Sequence, residues 1–180
     1  IAPTVNVNNI TVELDANGTA SITAAQIDNN SSDNCAVETV AIDINSFTCN
    51  NLGDNTVTLT VTDSSGNKAT KTATVTVVDK IAPTVNVNNI TVELDANGAA
   101  SITAAQINNN SSDNCSIESM SLDITSFTCA DAGENTVTLT VTDGSGNKTS
   151  KPAIVTVKDN IAPTVITKDF SIPLANGVAN

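Results

Sequence analysis

Apolar and polar residues alternate with a period of two through most of the chain. Residues 56–62 read TVTLTVT, which puts Val57, Leu59 and Val61 on one face and threonines on the other. That is the pattern of a half-buried β-strand. Ile10, Val12 and Leu14 alternate in the same way ahead of Asp15-Ala16-Asn17-Gly18, whose Asn-Gly pair predicts a hairpin into residues 19–23. Val40, Ile42 and Ile44 predict a further strand ending near Phe47, and Ala73, Val75 and Val77 a last long one after a turn at 63–67. Only residues 24–27 read as a helical turn. Six or seven short strands in 80 residues, separated by regular turn signals, predict an antiparallel sandwich of immunoglobulin-like type.

The pattern occurs twice. IAPTV stands at 1, 81 and 161, and residues 1–80 align with 81–160 without a gap, differing at twenty positions. Two tandem modules, 1–80 and 81–160, are therefore expected in a rod-like array, with 161–180 opening a third. Pro152 replaces Thr72 inside the last strand, which places that position at a sheet edge. The apolar side chains are small, and Phe47 and Phe127 are the only aromatics of the two full copies. A core of this kind gains from a staple.

Composition removes several functions. The chain has no His, Trp, Tyr or Arg, and carries nineteen acids against seven lysines, a net charge of -12. It lacks the commonest general base, the bidentate anion clamp and the aromatic platforms on which bases or sugars stack. Its charge repels nucleic acid. No apolar run reaches the length of a membrane helix, so no membrane insertion is expected. IAPTV has neither an initiator Met nor a signal-peptide pattern, and the chain reads as a fragment or a processed product.

Four cysteines recur at one spacing, Cys35 with Cys49 and Cys115 with Cys129. Without histidine to share a metal, they predict disulfides within each module and an oxidising compartment, the alternative being four free thiols. Closing the roughly 15-residue loop from Cys35 to Cys49 would contribute about 3 kcal/mol on the chain-entropy model.

These residues also resemble a family. The AP-T at each start, SSDNC before a central strand, and TVTLTVTD-x-SGN leading into TVTVVD are similar to hyalin-repeat and related bacterial immunoglobulin-like modules. Such modules are arrayed in giant surface adhesins of Bacteroidetes, those of gliding motility among them. The resemblance covers both full copies and the first residues of the third. It implies a secreted or cell-surface filament, often calcium-stabilised, that serves adhesion.

NNSSDNC at 29–35 and 109–115 carries the candidate chemistry. In an immunoglobulin-like topology the chain enters beside this loop and the turn at 63–67, and leaves at the opposite end. With no spacer between Asp79 and Ile81, the end of one copy must press on the start of the next. Asp79, Asp113 and Asp143 then converge, with Asn147 and residues 109–111 adding oxygens. Such a set suits calcium, which takes six to eight oxygens in irregular loops, and not zinc. Asp33, Asp63 and Asn67 are the equivalent ligands at the start of the first copy, and Asp159 plays the part of Asp79 toward the third. The plainer alternative is that Asp and Asn serve here only as turn formers.

Catalysis is not expected. Each candidate acid pair recurs at the same offset in both copies, with no aromatic subsite beside it. Two readings stand: a stiffened spacer that projects a distal adhesive region, its partners being the neighbouring repeats of the same chain, or polyvalent modules that themselves bind a surface polysaccharide or another surface protein. Both place the protein outside the cell, on its surface.

Overall fold

The structure, a computed structural model, describes residues 1–169. The first copy contains β1 (Ile10–Glu13), β2 (Thr19–Ser21), the helical turn α1 (Ala24–Ile27), β3 (Val37–Ile42), β4 (Ser46–Thr48), β5 (Gly53–Asp63) and β6 (Lys68–Val78). The second repeats them as β7 (Ile90–Glu93), β8 (Ala99–Ser101), α2 (Ala104–Ile107), β9 (Ile117–Leu122), β10 (Ser126–Thr128), β11 (Gly133–Asp143) and β12 (Lys148–Lys158). Each copy stacks a four-stranded sheet, ordered β1-β6-β5-β3 in the first and β7-β12-β11-β9 in the second, against a two-stranded one, β2-β4 and β8-β10. The protein is all-β, built from tandem immunoglobulin-like sandwiches.

The long strands β5 and β6 form the spine. Their alternation buries Val57, Leu59, Val61, Ala73, Val75 and Val77 toward the second sheet, while threonines face outward. Phe47 from β4, Ile22 and Ile27 close the core from the other side, and Phe127, Ile102 and Ile107 do so in the second copy. Each copy thus has its own core of mostly small side chains.

Two sequence expectations change. The Asp15–Gly18 turn forms, with Gly18 N–H donating to the Asp15 carbonyl and Asp15 N–H to that of Thr19. It does not close a hairpin: β1 runs parallel to β6, whereas β2 pairs with β4 in the opposite sheet. Both flanking strands are apolar on one side, and the shared core lies between them, so the turn carries the chain across the sandwich. The expected strand through Ile44 breaks after Ile42, leaving Ile44 exposed, and Phe47 belongs to β4. Residues 161–169 carry no strand, like the first nine residues of each full copy, and the rest of the expected third opening lies outside the described residues.

Pro152 sits opposite Thr138 in β11, while the parallel neighbour β7 begins pairing only at Val155. Ile154 N–H points to that open side, where Asn89 Oδ1 accepts it. By strand alternation the Pro152 nitrogen faces the same way, so no ladder bond is lost.

Candidate metal centre at the repeat junction

The repeated NNSSDNC motif divides into two parts with different work. Its first four residues clasp the incoming chain. Thr84 and Ser112 exchange backbone hydrogen bonds of 2.8 and 3.0 Å, and Ser111 Oγ both accepts from Asn86 N–H and donates to the Asn86 carbonyl. Asn110 adopts a left-handed backbone (φ 54°), a conformation its short polar side chain tolerates, and this turns the loop back toward the junction. Residues 109–111, expected near the junction acids, thus serve the clasp instead.

The last three residues, Asp113-Asn114-Cys115, meet the end of the first copy. Asp79, Asp113 and Asp143 each bring one carboxylate oxygen within 4.8 Å of the others'. Asp143 is wholly buried and Asp79 is 6% exposed. Asp143 opens a tight turn: its Oδ1 accepts from Ser145 and Asn147 N–H, and its Oδ2 from the Asn147 amide. The same amide nitrogen reaches back to the carbonyls of Asp79 (3.1 Å) and Ile81, tying the turn to the chain segment that joins the copies. Asp79 Oδ1 accepts from Ile81 N–H and from the amide of Asn114, which also donates to the Asp15 carbonyl. Asp113 Oδ1 accepts from Cys115 N–H.

Three acceptors remain. Asp79 Oδ2, Asp113 Oδ2 and Asn114 Oδ1 are buried and have no hydrogen-bond partner. Lys80, the nearest lysine in sequence, turns away and pairs with Glu13, the one ion pair among the described residues. Unit charges 4.8 Å apart repel by about 0.9 kcal/mol in water and about 3.5 kcal/mol at an effective dielectric constant of 20, so this triad carries a surplus of negative charge and of lone pairs. Its chemistry fits a hard cation that binds oxygen.

The remaining candidate ligands are not gathered in this way. Asp33 and Asp63 stand at the start of the first copy. Asp33 Oδ2 accepts from Cys35 N–H while its Oδ1 is buried without a partner. Asp63 is held by Asn67, whose side-chain amide (2.7 Å) is the main reason that its carboxyl lies below the ordinary range. Burial opposes that shift, and the Asn67 and Ser65 N–H groups assist it. Asp159, at the far end, is exposed and accepts from Ile161 N–H. Asn114 was absent from the expected ligands. Its adjacency to Asp113 was a signal, but only the fold shows it reaching across to Asp79.

The cysteine pairing is a correction. The expected bonds Cys35–Cys49 and Cys115–Cys129 are absent, and Cys49 is bonded to Cys115 in the next copy with a Cα–Cα separation of 5.5 Å. Cys35 and Cys129 are free and exposed. Cys35 lies before β3, near Asp63 at the start of its copy, and Cys49 follows β4 beside Gly18 at the end. The eleven-residue strand β5 runs between those ends, about 33 Å at about 3.3 Å per residue. A disulfide spans less than about 7 Å between Cα atoms, so an internal bond is geometrically closed. Between copies the two sulfurs adjoin.

No protein-family model matches the sequence, and comparison with curated proteins returns no match. Solved structures do resemble the fold. Protocadherin Gamma B7 extracellular cadherin domains 1-4 align over 88% of this chain and 51% of theirs at 12% identity, with a TM-score of 0.40. Sidekick-1 immunoglobulin domains 1-4 align over 87% and 49% at 10% identity and a TM-score of 0.47. The fibronectin(III)-like modules of Clostridium thermocellum CbhA align over 93% and 100% at 13% identity and a TM-score of 0.34. This chain spans about half the length of the first two.

Proposed function

We propose that the protein is a non-catalytic structural repeat of a long extracellular, cell-surface adhesin filament, in which 1–80 and 81–160 are the repeating units and 161–180 begins another. Calcium stiffens each junction, and the filament projects an adhesive region beyond it. The observation that carries this reading is the set of three partnerless buried oxygens, on Asp79, Asp113 and Asn114, gathered with Asp143 where two copies meet. Asp79, Asp113 and Asp143 would hold the ion, and Asn147 would brace the turn that presents Asp143. Calcium at that point neutralises the triad and ties three separate segments together, so that bending the junction would mean losing ligands. The hyalin-repeat-like motifs agree with such a filament, and a polar, threonine-rich surface suits a spacer.

Calcium added to the metal-free chain at about 100 times its Kd should raise stability by about 2.7 kcal/mol. X-ray scattering should show a narrower range of end-to-end distances. Asp113→Asn, which keeps the acceptor for Cys115 N–H, should abolish both responses. Equal melting and scattering with calcium and with chelator would overturn the calcium reading. Saturable binding of the chain to surface polysaccharide would make the repeats themselves the adhesive element.

A further inference from the structure

The exposed thiols Cys35 and Cys129 occupy the positions of two residues that are already bonded. By the 80-residue offset, Cys35 corresponds to Cys115 and Cys129 to Cys49. Their surroundings are reproduced as well. A Cβ placed on Gly98 would come within 2.5 Å of Cys129 Sγ, as one on Gly18 would come within 2.6 Å of Cys49 Sγ, so each sulfur rests against the same turn. At the other end, Cys35 N–H donates to Asp33 as Cys115 N–H donates to Asp113, and the neighbouring amides of Asn34 and Asn114 lie 3.5 and 3.8 Å from the sulfurs. The path out of the second copy also follows the first: Ile161 N–H donates to Asp159 as Ile81 N–H donates to Asp79, and Asn160 reaches Glu93 where Lys80 reaches Glu13.

We propose that Cys129 is the site of a second inter-repeat disulfide, formed with the SSDNC cysteine of a following repeat in the same chain, so that successive junctions are stapled one after another. Cys35 is the complementary half, facing a preceding repeat. A low-molecular-weight disulfide serves as oxidant. The Cys129 thiolate attacks one of its sulfurs and expels a thiolate. The following repeat's thiolate then attacks the mixed disulfide at Cys129 and expels the second. Two protons leave the protein and two electrons pass to the oxidant, which ends as two thiols. The step is favoured because the following repeat, tethered without a spacer, presents its thiol at high effective concentration.

The test appends after Asn160 a further copy of 81–160, its two cysteine peptides marked by Ser116→Ala and Ala130→Asn, the residues of the first copy, and refolds this chain in EDTA with glutathione disulfide and an excess of reduced glutathione, which clears mixed disulfides from unpartnered thiols. Without calcium, failure of the metal reading leaves the outcome untouched. Free thiols are alkylated and disulfide-linked peptides are mapped without reduction. The 180-residue chain should show Cys49 joined to Cys115 and full alkylation of Cys35 and Cys129. In the extended chain, alkylation of Cys129 should fall by about tenfold or more, with a new linked peptide joining it to the appended SSDNC. Cys129→Ser should leave that appended cysteine alkylated and the Cys49–Cys115 bond intact. Alkylation of Cys129 undiminished by the extension, its linkage to Cys115, or a bond from it to Cys35 of a second chain would each overturn the assignment.

Discussion

Single residues at the junction act through close contact. Gly18 is held at φ +71°, with no room for a side chain: a Cβ there would lie 2.6 Å from Cys49 Sγ and 2.7 Å from the Asn114 carbonyl. Gly18→Ala should destabilise the chain by about 2 kcal/mol or more and expose Cys49 and Cys115 to alkylation, checked by urea melts and thiol mapping. Gly66→Ala, at φ +84° with open space around it, carries only the backbone penalty, about 1 kcal/mol, and should leave the disulfide closed. Asp43 and Asp123 brace the bend between two strands by accepting Thr58 and Thr138 N–H at 2.8 and 2.7 Å, and these backbone donors hold both carboxyls below the usual range. Because the folded state lowers these pKa values, their contribution is present above the unfolded value of about 3.9 and is lost as pH falls through the folded values. Urea midpoints should therefore drop below about pH 4. The double variant Asp43→Asn, Asp123→Asn should flatten that part of the profile.

At the scale of elements, a strand's neighbours decide what it tolerates. Position 72 is proline in the second copy because its nitrogen faces an open edge there. Thr72→Pro should change the melting free energy by no more than about 0.5 kcal/mol. Thr60 lies in the central strand β5, paired with Ala41 of β3 on one side and Thr70 of β6 on the other. Thr60→Pro should cost about 3 kcal/mol or more and be visible as loss of the first copy's cooperative unfolding. The division of NNSSDNC follows the same logic: its first half pairs with the leading chain segment of its own copy, and its second half meets the preceding copy.

For the whole molecule, the Cys49–Cys115 bond closes a span of 66 residues that crosses from one sandwich to the next. On the chain-entropy model such a span is worth about 4 kcal/mol, more than the short internal loop would have given. Reduction should lower the melting midpoint and widen the distribution of end-to-end distances in scattering. On the proposed reading, adding chelator to the reduced protein should widen it further, since staple and cation restrain the same joint independently.

The alternation in TVTLTVT and TVTV, the Asn-Gly and Ser-Gly-Asn turns and the 80-residue offset carried the all-β repeat, its long strands and most of its core in the sequence, because period and turn chemistry are local properties. The meeting of Asp79 with Asp113 and Asp143 was also legible, since it needs only a strand order and the absence of a spacer. Which sheet β2 joins, that Lys80 pairs with Glu13, that Asn114 reaches Asp79, and that Cys49 bonds to Cys115 were decided by tertiary structure. Equal spacing in sequence marks two cysteines as counterparts, but a bond requires Cα atoms within a few ångströms. A rigid strand holds Cys35 and Cys49 at opposite ends of their sandwich, and only the stacking of the next copy brings a partner into reach.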